Sequence, residues 1–137
     1  MKNPGVSKIY CLDRSSDASA RLQASLAKID ESLDTSKLVF FKVEFGAPHL
    51  GLGQDEYQRI ADEVGVIVYN AWRLDFGLAI HSFDPFLRTT RELVDLSVAS
   101  QHGLRIVFVS SLSSVEGLAL TGSTVPEAPV EDPLAAM

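Results

Sequence analysis

Four runs of nearly continuous apolar residues punctuate the chain: KIYCL (8–12), KLVFFKVEF (37–45), VGVIVYN (64–70) and RIVFVSS (105–111). They do not alternate apolar with polar, and such runs mark strands of a parallel sheet covered on both faces. Between them the period changes. Leu22, Leu26, Ile29 and Leu33 recur at spacings of four, three and four, which is one stripe of a helix. Tyr57, Ile60, Ala61 and Val64 make a shorter stripe, led in by Gln54, Asp55 and Glu56, whose acids suit a helix N-terminus. A third helix opens at Asp84-Pro85, a cap and a first-turn proline. Phe86, Thr90, Leu93 and Ser97 trace its buried face, and Gly103 ends it. Strand and helix patterns alternate, so the class is α/β with right-handed crossovers. After Leu120, TGSTVPEAPVEDPLAAM (121–137) brings three prolines, three acids and no clear period. The domain therefore spans residues 1–120, and 121–137 is a proline-rich loop or tail.

Composition narrows the partners. The 137 residues suit one domain, and a net charge of -6 with no Lys/Arg cluster excludes a nucleic-acid or anionic-membrane partner. The N-terminus has no apolar leader core, and no apolar run approaches the ~18 residues of a membrane span. A cytoplasmic chain is expected. Cys11, the lone cysteine, lies in an apolar run and is expected as a buried small hydrophobe. His49, His81 and His102 lack metal-ligand spacing, so no metal site is indicated.

The candidate chemistry sits at the strand ends. In CLDRSSD, Asp13 could accept bonds from both ribose hydroxyls of NAD, while Arg14 could pair with the 2′-phosphate of NADP. These two residues alone leave the choice open. In VEFGAP, Glu44 could bond an adenine amine with the backbone of Phe45 nearby. In VYNAW, Asn70 can tie neighbouring strands and the small Ala71 lets backbone approach a cofactor. In VFVSSLSS, a hydroxyl at the carboxyl edge of the sheet can polarise a substrate carbonyl. Each motif is weak alone. Their order, after four successive strands, is the one a Rossmann-type reductase requires.

NPGVSKIYCLDRSSDASARL, LGLGQDEYQRIADEVGVIVYNAW with LDF after it, and VFVSSLSSV resemble the thioester reductase domains of fungal nonribosomal-peptide-synthetase-like enzymes and carboxylic acid reductases. These belong to the extended short-chain dehydrogenase/reductase group. The resemblance covers nearly all of residues 3–134, and YNAW with DF is its most specific piece. It implies a partial Rossmann-type parallel sheet, strands two to five of the family order 3-2-1-4-5, with flanking helices and the first strand missing. It implies NADPH-dependent reduction of an acyl thioester, held on the phosphopantetheine of an acyl carrier protein, to an aldehyde or alcohol. By the same resemblance Arg14 matches the 2′-phosphate-binding arginine, with Asp13 beside it. Glu44 stands where the family has Asp beside the adenine, followed by Phe45, and Asn70 and Ala71 match the pair lining the cofactor. Ser111 matches the Ser/Thr of the catalytic set, with Ser113 as the fallback in a run of serines.

Two family elements are absent from these 137 residues, the GxxGxxG loop and the catalytic YxxxK. Four residues beyond Tyr10, Tyr57 and Tyr69 stand Arg14, Ala61 and Arg73, so no Tyr-Lys pair has the required spacing. The chain is accordingly expected to be a fragment of such a reductase, inactive alone, and able to self-associate through exposed strand edges. A non-catalytic remnant and an unrelated α/β interaction module are the alternatives.

Overall fold

The computed structural model describes residues 4–29, 35–75 and 77–120, with residues 122, 124, 125, 128 and 129 beyond them. Among the described residues four strands and four helices alternate; the strands and the first three helices were expected, and the short fourth helix was not. They are β1 (Ile9–Asp13), α1 (Ala18–Leu26), β2 (Leu38–Lys42), α2 (Gln54–Glu63), β3 (Val66–Tyr69), α3 (Asp84–Ala99), β4 (Arg105–Phe108) and α4 (Glu116–Ala119). Three 3-10 turns, Pro48–Gly51, Ile80–Phe83 and Leu112–Val115, precede α2, α3 and α4.

The strands form two two-stranded sheets, β1 with β2 and β3 with β4. β1 and β2 run parallel, with Ile9 opposite Leu38 and Asp13 opposite Lys42. In the second sheet the Arg105 N–H donates to the Gly65 carbonyl and the Val109 N–H to the Tyr69 carbonyl, each at 3.0 Å. The two bonds advance together along both strands, so this pair is parallel too.

The chain forms two compact units, Met1–Ile67 with Trp72–Ile106, and Val68–Ala71 with Val107–Met137. The first holds most of the core. Val43, Leu50, Leu52, Tyr57, Ile60, Ala61, Phe86, Leu93, Leu96 and Leu104 are buried in it. In this unit Trp72 stacks on Phe83 and meets Phe86 at 5.5 Å between ring centres. Phe76 lies outside the described residues.

Several sequence expectations need correction. The strands are not covered on both faces. Val66 and Val68 are 47% and 65% exposed on one face of β3, while Tyr69 on the other is buried, and Val107 and Phe108 of β4, with Val109 just beyond it, are also exposed. One face of β3 therefore lacks a covering layer of described residues. The first helix is shorter than its stripe: α1 ends at Leu26, and Ile29, in the turn beyond it, is 79% exposed. Leu33 lies outside the described residues. The cap of α3 is Phe83, with Asp84 already helical and Pro85 in the first turn. Cys11 is half-buried rather than fully buried, and the desolvation it does suffer pushes its thiol up, towards the inert form.

The register of α3 is also turned by one residue. Its buried line is Phe86, Thr89, Leu93 and Leu96, with Thr90 and Ser97 half-buried beside it. Thr89 tolerates this because its hydroxyl donates to the Pro85 carbonyl at 2.8 Å and accepts the Gly46 N–H at 3.0 Å. Gly46 has φ +82, and an added Cβ would meet Pro85 Cα at 3.3 Å. Thr89→Val keeps the shape but orphans the Gly46 amide, so it should destabilise the chain by about 1–3 kcal/mol. A lower urea midpoint with an unchanged slope is the expected result, and an unchanged midpoint would show that the bond adds nothing.

Candidate functional site

The parallel register of β1 and β2 places their carboxyl ends side by side. The Val43 N–H donates to the Asp13 carbonyl at 2.8 Å, one step past the last paired residues. Beyond that bond β2 turns away, because the Glu44 N–H donates to the Leu50 carbonyl at 2.8 Å instead. This is why the run expected over 37–45 stops as a strand at Lys42. The loop it enters is unusual. His49 and Leu50 take left-handed φ of 53° and 59°, a conformation that costs a side-chain-bearing residue roughly 1–2 kcal/mol. Leu50 is nonetheless buried, the His49 ring stacks on Tyr57 at 4.4 Å, and the His49 N–H donates to Glu92 of α3 at 2.7 Å. At Gly51, φ +72, a Cβ would come within 3.0 Å of the Glu44 Cβ. The segment carrying Glu44 and Phe45 is thus fixed by α3 and by its own packed turn.

Four expected site residues, Asp13, Arg14, Glu44 and Phe45, lie in this first unit, and two of them touch. The Arg14 guanidinium lies over the Phe45 ring at 5.2 Å, a cation-π distance, and Phe45 meets Phe86 edge-on at 5.8 Å. Glu44 is exposed. Asp13 is differently engaged: its two carboxylate oxygens accept bonds from one Arg21 nitrogen at 3.1 and 3.0 Å, and one oxygen also accepts the Ser15 N–H at 2.8 Å. Among the described residues no carboxylate pairs with Arg14.

Asn70, Ala71 and Ser111 belong to the second unit. The bond from Val109 to Tyr69 closes the carboxyl end of the β3–β4 ladder, and Tyr69 meets Phe108 edge-on at 5.5 Å. Asn70 and Ala71 follow one strand there, while Ser110 and Ser111 follow the other, all four exposed. The Ser111 carbonyl accepts the Ser114 N–H at 3.1 Å and the Ser114 hydroxyl at 2.7 Å. Ser113 lies in the 3-10 turn that follows, and its side chain is outside the described set.

Sequence reasoning missed Arg21. Its i,i+4 partner Asp17, 3.1 Å from the Arg21 Nε, is a legible helix pair. The eight-residue reach back to Asp13 crosses a turn and has no periodic signal. The Ser15 hydroxyl bonds Asp17 and, with Arg21 behind it, holds that carboxyl below the usual carboxylate range. Among the described residues no three His, Cys, Asp or Glu side chains converge as metal ligands, and no helix is long and apolar enough to cross a membrane.

Parallel strands joined through helices make this an α/β protein, and an arginine over an aromatic ring stands at the carboxyl end of its first strand pair, the edge at which such sheets take their ligands. The chain belongs to the NAD-binding male sterility protein family, whose model matches residues 1–133, so it is not an unrelated interaction module. It is 40% identical over 127 residues to a carboxylic acid reductase of Neurospora crassa, covering 93% of this chain and 12% of that protein. It is 37% identical over 135 residues to the adenylate-forming reductase Nps9 of Serpula lacrymans, with the same coverage. It is 32% identical over 144 residues to the non-reducing polyketide synthase pkdA of Emericella nidulans, 6% of whose length it covers. Among solved structures, the terminal R domain of the myxalamid PKS-NRPS pathway matches with a TM-score of 0.67 and 25% identity, over 95% of this chain and 34% of that one. The fold therefore matches about a third of an R domain, and the chain spans about an eighth of the two reductases.

Proposed function

We propose that these residues form the cofactor-binding part of an NADPH-dependent thioester reductase. Its substrate is an acyl group carried as a thioester on the phosphopantetheine of an acyl carrier protein, its product an aldehyde or alcohol, and its place of action the cytoplasm. The observation that carries this reading is the pair of charges at the end of β1: Arg14 lies over Phe45 with no carboxylate of the described residues paired to it, while Asp13 is taken by Arg21. A guanidinium presented this way suits a 2′-phosphate better than a bare diol.

When bound, the reduced nicotinamide would supply hydride to the thioester carbonyl carbon, and the aldehyde forms as the carbon–sulfur bond breaks and the phosphopantetheine thiol leaves. The chain's own residues bind and polarise. By the family resemblance, Arg14 would hold the 2′-phosphate, Glu44 would accept from the adenine amine with the backbone of Phe45 beside the ring, and Asn70 and Ala71 would line the cofactor. The Ser111 hydroxyl donates to the carbonyl oxygen as negative charge develops there. No Tyr-Lys pair at four-residue spacing occurs in the sequence, so the proton donor comes from other residues, and the 137 residues alone turn nothing over.

The test is a hybrid in which this chain replaces the 127-residue segment it matches in the Neurospora crassa carboxylic acid reductase. The hybrid should consume NADPH with a carrier-bound acyl thioester and not with the free acid. Consumption without a thioester would contradict the substrate class.

Among the described residues each strand is paired on one edge only. The chain expressed alone should therefore self-associate through those edges, running larger than 14.9 kDa on size exclusion. A monomer at all concentrations would show that the edges are blunted.

A further inference from the structure

Asp13 stands where a carboxylate could grip the two hydroxyls of an unphosphorylated ribose, yet its oxygens are already occupied. Arg21 reaches back from α1 and places one nitrogen 3.1 and 3.0 Å from the two oxygens. The Ser15 N–H takes up one of them as well, at 2.8 Å. Arg21 is itself held from its other side, since its Nε lies 3.1 Å from Asp17. Asp17 in turn is bonded by the Ser15 hydroxyl. The turn between β1 and α1 is thus a closed chain of alternating charges, Asp13, Arg21 and Asp17, fastened at both ends through Ser15.

We infer that Arg21 is a specificity-setting residue: by occupying Asp13 it withholds the carboxylate from the ribose diol and leaves Arg14 to select a 2′-phosphorylated cofactor. This rests on the adenosine-side reading given above and adds a second determinant to it. A ribose with a free 2′-hydroxyl must compete with a guanidinium for the carboxylate oxygens. A ribose bearing a 2′-phosphate instead meets Arg14, and the charge on Asp13 that would repel it is already balanced. The groups are partly exposed, with side-chain exposures of 57% for Arg21 and 39% for Asp13, so water screens the pair and its effect is graded rather than absolute.

The experiment uses the full chain and two probes that differ only in the 2′-phosphate, adenosine 5′-monophosphate and adenosine 2′,5′-bisphosphate, in equilibrium dialysis, which reads binding whatever the oligomeric state. The unaltered chain should prefer the bisphosphate. Arg14→Ala should abolish that preference, and this arm tests the cofactor reading alone. Arg21→Gln should tighten the monophosphate by about 5- to 10-fold, as a released carboxylate gains charge-assisted bonds to hydroxyls. The double change Asp13→Asn with Arg21→Gln should cancel the gain, and Arg21→Lys should keep monophosphate binding weak. A merely structural role for Arg21 would weaken both probes together. If Arg14→Ala acts as expected but Arg21→Gln leaves the monophosphate unchanged, or weakens only the bisphosphate, the inference is wrong while the cofactor reading stands. If the unaltered chain shows no preference, the cofactor reading fails and the inference with it.

Discussion

Ser111→Ala, introduced into the hybrid reductase, should lower kcat by roughly 10- to 1000-fold, the range expected when a preorganised donor to a developing oxyanion is lost. KM for the thioester should move little, because the bond strengthens only as charge appears on the oxygen. Ser111 suits this role by position, in the exposed link between the end of β4 and the 3-10 turn Leu112–Val115. The Ser114 hydroxyl donates to the Ser111 carbonyl at 2.7 Å, and the family resemblance points to Ser111 rather than to Ser114. Ser114→Ala should accordingly do less. If Ser113→Ala proved the damaging change and Ser111→Ala were silent, the donor would sit two residues further on.

Arg14→Ala in the same hybrid should cut the preference for NADPH over NADH by roughly 10- to 100-fold, the worth of one or two hydrogen bonds between charged partners. The loss should fall on kcat/KM for NADPH, with NADH nearly unaffected. Its salt dependence should fall too, because a screened charge pair has been removed. An unchanged ratio would sink the assignment of Arg14 and turn attention to Asp13.

The two predictions draw on residues that the sequence exposed to different degrees. Asp13 and Arg14 drew notice because they follow an apolar run, Glu44 and Asn70 because they lie at the ends of two others, and a parallel strand presents such residues at its carboxyl edge. What pattern could not reveal was contact across turns. The pairing of Arg21 with Asp13 depends on the curl of residues 14–17, and no spacing rule encodes it. The turn at His49 and Leu50 was hidden for another reason: left-handed backbone is usually announced by glycine or asparagine, and here only Gly51 gives a hint. The sequence put Thr90 rather than Thr89 on the buried line of α3, because adjacent threonines look alike to a hydrophobicity pattern. The hydroxyl that finds both Pro85 and Gly46 is the one that can be buried. Ile29 erred the other way, since an apolar residue at the right spacing cannot extend a helix that has already ended.

The strand coverage shows the limit of the apolar-run argument itself. Val66, Val68 and Val107 have the composition of covered strands, yet they are exposed in this chain. Composition records the surroundings a strand is suited to, and the described residues supply only part of them.

The central claim, that these residues serve hydride transfer from NADPH to a thioester carbonyl, is tested most directly by isotope. The hybrid would be supplied with a carrier-bound acyl thioester and NADPH deuterated at the transferring carbon, and the product analysed by mass spectrometry. The account predicts an aldehyde or alcohol carrying deuterium on the former carbonyl carbon, with one NADPH oxidised for each hydride delivered. Oxidation of NADPH with an unlabelled product, or with no reduced product at all, would contradict it.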